Sequence, residues 1–223
     1  MDEQTLQALW LTTQLAMATT AILLFISTPL AWWLARGNSW CRSLVEALVA
    51  LPLVLPPTVI GFYLLIVLGP QGPLVPLLDW LGLKTLNFSF SGLLIASVIY
   101  SLPFVVQPLR QGFANIAQPQ LDLAASLGAS YWDRFFSISL PQSKAYYLIA
   151  LVLGFTHTVG EFGVVLMVGG NIPGETQVLS IAIYEMVESL KYQQAHYLAA
   201  GLLLFSFAAL ILLYRRKMPA LPV

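Results

Sequence analysis

The sequence predicts an all-α integral membrane protein with about five transmembrane helices. Of its 223 residues, 58% are hydrophobic and 9% charged, and the mean hydropathy is +0.80, whereas soluble domains carry roughly 25% charged residues. Apolar runs long enough to cross a bilayer recur along the chain, and one compact polar stretch, residues 122–141, interrupts them. The lipid bilayer is the expected partner, with no nucleic acid. The lone Cys41 permits no internal disulfide, and no Cys/His cluster has metal-ligand spacing.

A helix rising 1.5 Å per residue needs about 20 apolar residues to cross the hydrocarbon core. Residues 10–35 supply the first span without a charge. Asp2 and Glu3 precede it and no small-x-small site follows, so it is expected to remain as a helix and not as a cleaved leader. Residues 44–68 form a second span with Glu46 at its entry; Pro52, Pro56 and Pro57 predict a kink packed against protein. Residues 69–90 read as a Pro/Gly-rich loop with a short interfacial helix around 77–81. The third span is 92–109, interrupted by Pro103, and the fourth is 145–168. Residues 171–194 are polar enough for a loop or a partly re-entrant segment. Residues 196–214 are the fifth span, closed by Arg215, Arg216 and Lys217. The whole chain, 1–223, is read as one transmembrane domain.

Basic residues near span ends stay in the cytoplasm. An N-terminus outside puts Arg36, Arg42, Arg110, Arg134, Lys144, Arg215, Arg216 and Lys217 inside and leaves only Lys84 and Lys191 outside. Residues 122–141 then face the cytoplasm.

Within that stretch, Leu121, Leu123 and Leu127 with Ala124 and Ala125 suit a short helix, and Gly128 ends it by tolerating the left-handed conformation. Ser130 and Asp133 have capping-box spacing for a second helix, whose apolar face is Trp132, Phe135, Phe136 and Ile138 and which Pro141 punctuates. Physically this is either a segment lying on the lipid surface or a docking element for a soluble protein. The spacing resembles the cytoplasmic coupling motif of bacterial ABC importer permeases, an E-A-A triplet before a glycine and then I-x-L-P nine residues on. Gly128, Ile138, Leu140 and Pro141 match, while the triplet here reads Asp122-Leu123-Ala124. The resemblance implies a coupling segment at about 115–144, with Asp122, Ala124, Ala125, Gly128, Ala129, Ser130, Ile138, Leu140 and Pro141 as the ATPase-coupling residues.

The fourth span contains Thr156-His157-Thr158-Val159-Gly160-Glu161-Phe162-Gly163. Ionisable residues inside a membrane are costly and raise a functional hypothesis. His157 and Glu161, one helical turn apart, are placed to share a hydrogen bond or proton. They are either a structural pair or part of a translocation path or gate made with Thr58, Thr156, Thr158, Gly160, Phe162 and Gly163, where Gly154, Gly160 and Gly163 permit close backbone approach. A membrane-embedded enzyme using His157 and Glu161 as acid and base is the alternative of a different class, though no third group to activate a substrate is evident. No Lys or Arg lies within a span, so an anion would be held weakly by neutral donors, as a path requires.

The G-E-F-G of residues 160–163, the N-I-P-G-E-T of 171–176, the L-P-L-V-L-P-P of 51–57 and residues 127–130 together resemble the molybdate ABC transporter permeases over nearly the whole chain. The resemblance implies the ABC importer permease fold in a bacterial inner membrane. It also implies a homodimer bound to two ATPase subunits and an extracytoplasmic substrate-binding protein that delivers molybdate. Tungstate and sulfate or thiosulfate permeases remain alternatives. The chain has no G-x-x-x-x-G-K-[ST] loop, so ATP and Mg are expected in a partner, with no cofactor and no catalytic residue here.

Overall fold

In a computed structural model, residues 3–37, 39–80 and 86–215 are described. Lys84, Arg216 and Lys217, which the charge argument used, lie outside them. The chain runs through α1 (Glu3–Leu34), α2 (Trp40–Val54), α3 (Pro57–Leu68), α4 (Val75–Trp80), α5 (Phe90–Ala114), α6 (Gln118–Ser126) and α7 (Tyr131–Arg134). A π turn (Phe135–Ser139) leads into α8 (Leu140–Gln142), followed by α9 (Lys144–Gly160), α10 (Gly163–Gly169), α11 (Leu179–Glu188) and α12 (Tyr192–Arg215).

α1, α5 and α12 are each long and apolar enough to cross a membrane; counting the bent pairs α2–α3 and α9–α10 as one span each gives five. The bundle centre is α1, α5 and α9. α1 buries Thr5, Ala8, Thr12, Leu15, Thr19 and Leu23, a stripe spaced by three and four residues whose small side chains let helices approach closely. Its other face turns Leu6, Trp10, Met17 and Phe25 outward, as lipid contact requires. α12 buries only 6% of its most apolar window.

The second span is sharper than a kink, since α2 and α3 meet at 112°. Leu55 and Pro56 are extended, with ψ of 140° and 138°, because a residue before proline avoids the helical region and Pro57 cannot donate to the preceding turn. The fourth span is also broken: α9 stops at Gly160 and α10 restarts at Gly163, 59° away. These two breaks place α3 against α10 at glycine seams. A Cβ on Gly61 would lie 2.7 Å from Met167 Cβ, and one on Gly163 would lie 2.8 Å from Pro57 Cβ.

Residues 171–194 are not simply a loop. They contain α11, which buries Leu179, Ile181 and Ala182 and is tied to α1 where Leu179 N–H donates to Thr12 Oγ1 at 2.8 Å.

Candidate functional site

Residues 122–141, with the start of α6 before them, fold as helix, glycine bend, helix. Leu121 is fully buried beneath them, with Phe113, Ile116, Phe135 and Trp32 in the same core cluster, which anchors α6. Ala129 N–H donates to Ala124 C=O and Gly128 N–H to Ala125 C=O, both at 3.0 Å, the paired bonds of a Schellman closure. Gly128 has φ +88°, and a Cβ there would meet nothing within 4 Å, so glycine answers a conformational need and not a packing one. Ala124, Ala125 and Ala129 are thus parts of a helix stop.

Ser130 then caps α7 reciprocally. Asp133 N–H donates to Ser130 Oγ at 3.1 Å, and Asp133 Oδ2 accepts from Ser130 N–H at 3.1 Å and from its hydroxyl at 2.6 Å. These bonds hold the Asp133 carboxyl below its usual pKa. The second helix does not run as one α-helix to Pro141, because it widens to a π turn at Phe135–Ser139. The expected apolar face accordingly splits. Phe135 is buried and Ile138 half-buried, whereas Trp132 and Phe136 are exposed and stack at 6.1 Å. Leu123 in α6 and Leu127 at its C-terminal cap are exposed as well, Leu127 at 81%. Asp122 faces solvent, accepting from Gln118 Nε2 at 2.9 Å, Leu140 is half-buried, and Pro141 is exposed.

At the break in the fourth span the expected His157–Glu161 pair is not formed. An i, i+4 contact needs a continuous helix, and Glu161 lies beyond the end of α9 with extended backbone, ψ 132°. His157 instead turns to α5. Its Nδ1 is 2.9 Å from Ser101 Oγ, and its ring stacks on Phe104 at 3.8 Å with Tyr100 at 5.1 Å. Ser101 Oγ is also 3.1 Å from Thr158 Oγ1, which donates to Gly154 C=O at 2.9 Å. Glu161 is 4% exposed. Its backbone carbonyl accepts from Ser180 Oγ at 2.6 Å, and neither carboxylate oxygen makes a hydrogen bond among the described residues.

The expected path residues therefore divide. Thr58, exposed near the start of α3, and Gly163 are brought together through the Pro57 contact. Phe162 packs on Tyr184 at 5.0 Å. Gly154 and Gly163 are points of close approach, but Gly160 is exposed with nothing near its missing Cβ. Thr156 points away, bonded to Val152 C=O at 2.7 Å and lining an apolar groove against α12 with Phe155 and Phe205. Ser97, Ser101 and Phe104 were not singled out from the sequence; the i, i+4 serines in an otherwise apolar span were the available signal.

The N-I-P-G-E-T loop is a closed turn in which Ile172 C=O accepts from the N–H groups of Glu175, Thr176 and Gln177 at 2.9 to 3.1 Å, and Gly174 has φ +77°. Gln177 Nε2 donates to Glu185 at 2.6 Å, fastening it to α11.

Residues 27–217 match the family described as binding-protein-dependent transport system inner membrane component. The chain is 53% identical over 217 residues to the molybdenum transport system permease protein ModB of Azotobacter vinelandii, covering 97% of this chain and 96% of that one. It is 41% identical over 160 residues to ModB of Haemophilus influenzae, covering 71% and 69%. It is also 34% identical over 189 residues to a probable sulfate transport system permease protein of Zygnema circumcarinatum, covering 85% and 65%. Among solved structures, a bacterial ABC transporter involved in alginate import superposes with a TM-score of 0.76 at 19% identity, over 97% of this chain and 79% of that one.

Proposed function

The chain belongs to the binding-protein-dependent transport system inner membrane components, and from that membership we propose that it is the permease subunit of an ATP-driven importer carrying molybdate into the cytoplasm. The observation that carries the substrate is the 53% identity, over nearly the full length of both chains, to a molybdenum permease, against 34% to a sulfate permease.

In this reading two copies of the chain enclose the path, an extracytoplasmic binding protein delivers the oxyanion, and ATP and Mg act in a separate ATPase subunit. The exposed side chains of Leu123, Leu127, Trp132 and Phe136 form the patch that docks on that ATPase, since exposed apolar groups held on a rigid frame are what a protein partner buries. The Schellman closure and the capping box fix the angle between the two halves of the patch. The seam where α3 meets α10 borders the path. Neutral donors at Thr58 and in the Ser101–His157–Thr158 network let a dianion pass without being trapped.

The test is reconstitution with the cognate ATPase and binding protein in proteoliposomes. ATP-dependent molybdate uptake that requires both partners supports the reading, and competition by tungstate and sulfate ranks the substrates. Uptake of sulfate in preference to molybdate under identical conditions would overturn the substrate assignment.

A further inference from the structure

Beside the coupling segment lies an open cavity of about 620 Å³ between the end of α1, the start of α2 and the first turn of α7. Three guanidinium groups, Arg36, Arg42 and Arg134, converge on it, together with Trp32, Trp33 and Tyr131, and no carboxylate lines it. The carboxylates of the coupling segment are engaged elsewhere, Asp133 with Ser130 and Asp122 with Gln118. Among the described residues the one salt bridge is Arg110–Glu46, so these three cations lack a counter-charge.

The cations are nonetheless held in place. Arg36 lies over the Trp32 ring with its Cζ 3.4 Å from the centroid and donates to Ser139 Oγ at 3.3 Å. Arg42 donates through Nη1 to Arg36 C=O at 2.6 Å, while its buried Nε has no partner. Gly37 has φ +127°, a backbone conformation that favours glycine, and a Cβ there would meet the end of the Arg42 side chain. Burial lowers the Arg36 pKa, the Tyr131 hydroxyl opposes that, and repulsion from Arg134 adds a smaller lowering. Holding like charges together is unfavourable unless an anion joins them. The cavity sits where α1 leaves the membrane, flanked by tryptophans as at a membrane–water interface, and basic pockets at that depth take phosphate headgroups.

We propose that this cavity binds a phosphate group, supplied by an anionic phospholipid of the adjacent leaflet, with Arg36, Arg42 and Arg134 as its donors. The proposal takes only the identity of that leaflet, the cytoplasmic one, from the functional reading above.

The test uses the full chain extracted from vesicles of phosphatidylcholine and phosphatidylglycerol, with retained lipid counted by native mass spectrometry. The wild type retains phosphatidylglycerol in preference. Arg42→Gln lowers that retention about tenfold, the loss expected for a charge-assisted bond. Arg42→Lys restores part of it, and Arg215→Gln leaves it unchanged. A second arm puts the chain in phosphatidylcholine nanodiscs with inorganic phosphate and records phosphorus NMR. Arg42-dependent line broadening there without lipid preference keeps the phosphate site but overturns the lipid source. Retention unaffected by both Arg36→Gln and Arg42→Gln, with no broadening, overturns the site. Retention lost on assembly, with the Arg42→Gln effect moving to ATPase affinity, assigns the arginines to an acidic protein partner and also overturns it. Labelling of Ser137→Cys from the periplasmic side alone sinks the cytoplasmic coupling reading while leaving lipid retention measurable.

Discussion

A Cβ on Gly163 would stand 2.8 Å from the Cβ of Pro57, and that contact joins the two broken spans of the molecule. Pro57 begins α3 just after the 112° break, and Gly163 begins α10 just after the 59° break. Each half-helix is positioned by the other, so a disturbance here reaches both chain breaks at once.

Gly163→Val is therefore expected to destabilise the purified chain by about 1–3 kcal/mol through overpacking, and Gly61→Val, which meets Met167 and Val164, by a similar amount. Gly160→Ala meets nothing and should leave thermal stability unchanged or slightly raised, as alanine favours helix over glycine. Melting in detergent measures all three. Equal behaviour of Gly160→Ala and Gly163→Val would remove the seam from the account.

Ser101 is the shared partner of His157 and Thr158. Ser101→Ala leaves the buried Thr158 hydroxyl and the half-buried His157 ring each short of a bond, and about 1–3 kcal/mol of stability should go with them. His157→Phe retains the stack on Phe104 and should cost less than His157→Ala, which also opens a void. If catalysis by His157 and Glu161 were the function, His157→Phe would abolish activity at unchanged stability; the transporter reading expects ATP-dependent uptake to persist at a reduced rate.

How much of this was legible in the sequence follows from the range of the interactions. Gly128, Ser130 and Asp133 act within a few residues of one another, so spacing alone disclosed the helix stop and the capping box. The apolar runs disclosed the three long helices and the two bent pairs, because bilayer thickness fixes the length of an apolar run. The His157–Glu161 pairing was misread because an i, i+4 rule presumes an unbroken helix, and past the break the chain meets α11, where Ser180 bonds the Glu161 carbonyl and Tyr184 packs on Phe162. That helix was itself obscured by the polar Glu185, Glu188 and Lys191 around its C-terminal end. The arginine cavity brings residues 36 and 42 to residue 134, a tertiary fact that no local pattern carries.

Asp133 gives the coupling segment a defined response to pH. Its carboxyl is held below the usual value of about 3.9 by bonds from Ser130, so the stabilisation is fully present above that value and is lost as pH falls through the depressed folded pKa. Amide exchange over residues 131–134, corrected for intrinsic rates, should show constant protection from about pH 5 upward, whereas Ser130→Ala should lose protection several-fold at every pH there. A wild-type profile that declines between pH 8 and 5 would point to a different titrating group.

The orientation rests on the basic residues, with Arg36, Arg42, Arg110, Arg134 and Lys144 on one side. Fusion reporters are expected to place the C-terminus in the cytoplasm and the N-terminus outside. A C-terminal reporter active only in the periplasm would reject that arrangement.

The proposed docking of an ATPase on residues 122–141 depends most on the bend at Gly128. With nothing within 4 Å of its missing Cβ, substitution there changes backbone strain and partner fit but not internal packing, and a Cβ in the left-handed region costs roughly 1–2 kcal/mol. The measurement is co-purification of the ATPase with Gly128→Ala and Gly128→Val, followed by binding-protein-stimulated hydrolysis in proteoliposomes. Gly128→Ala is expected to retain both in part, and Gly128→Val to insert normally in the membrane while losing ATPase association or stimulated hydrolysis. Gly128→Val retaining both at wild-type levels would contradict it.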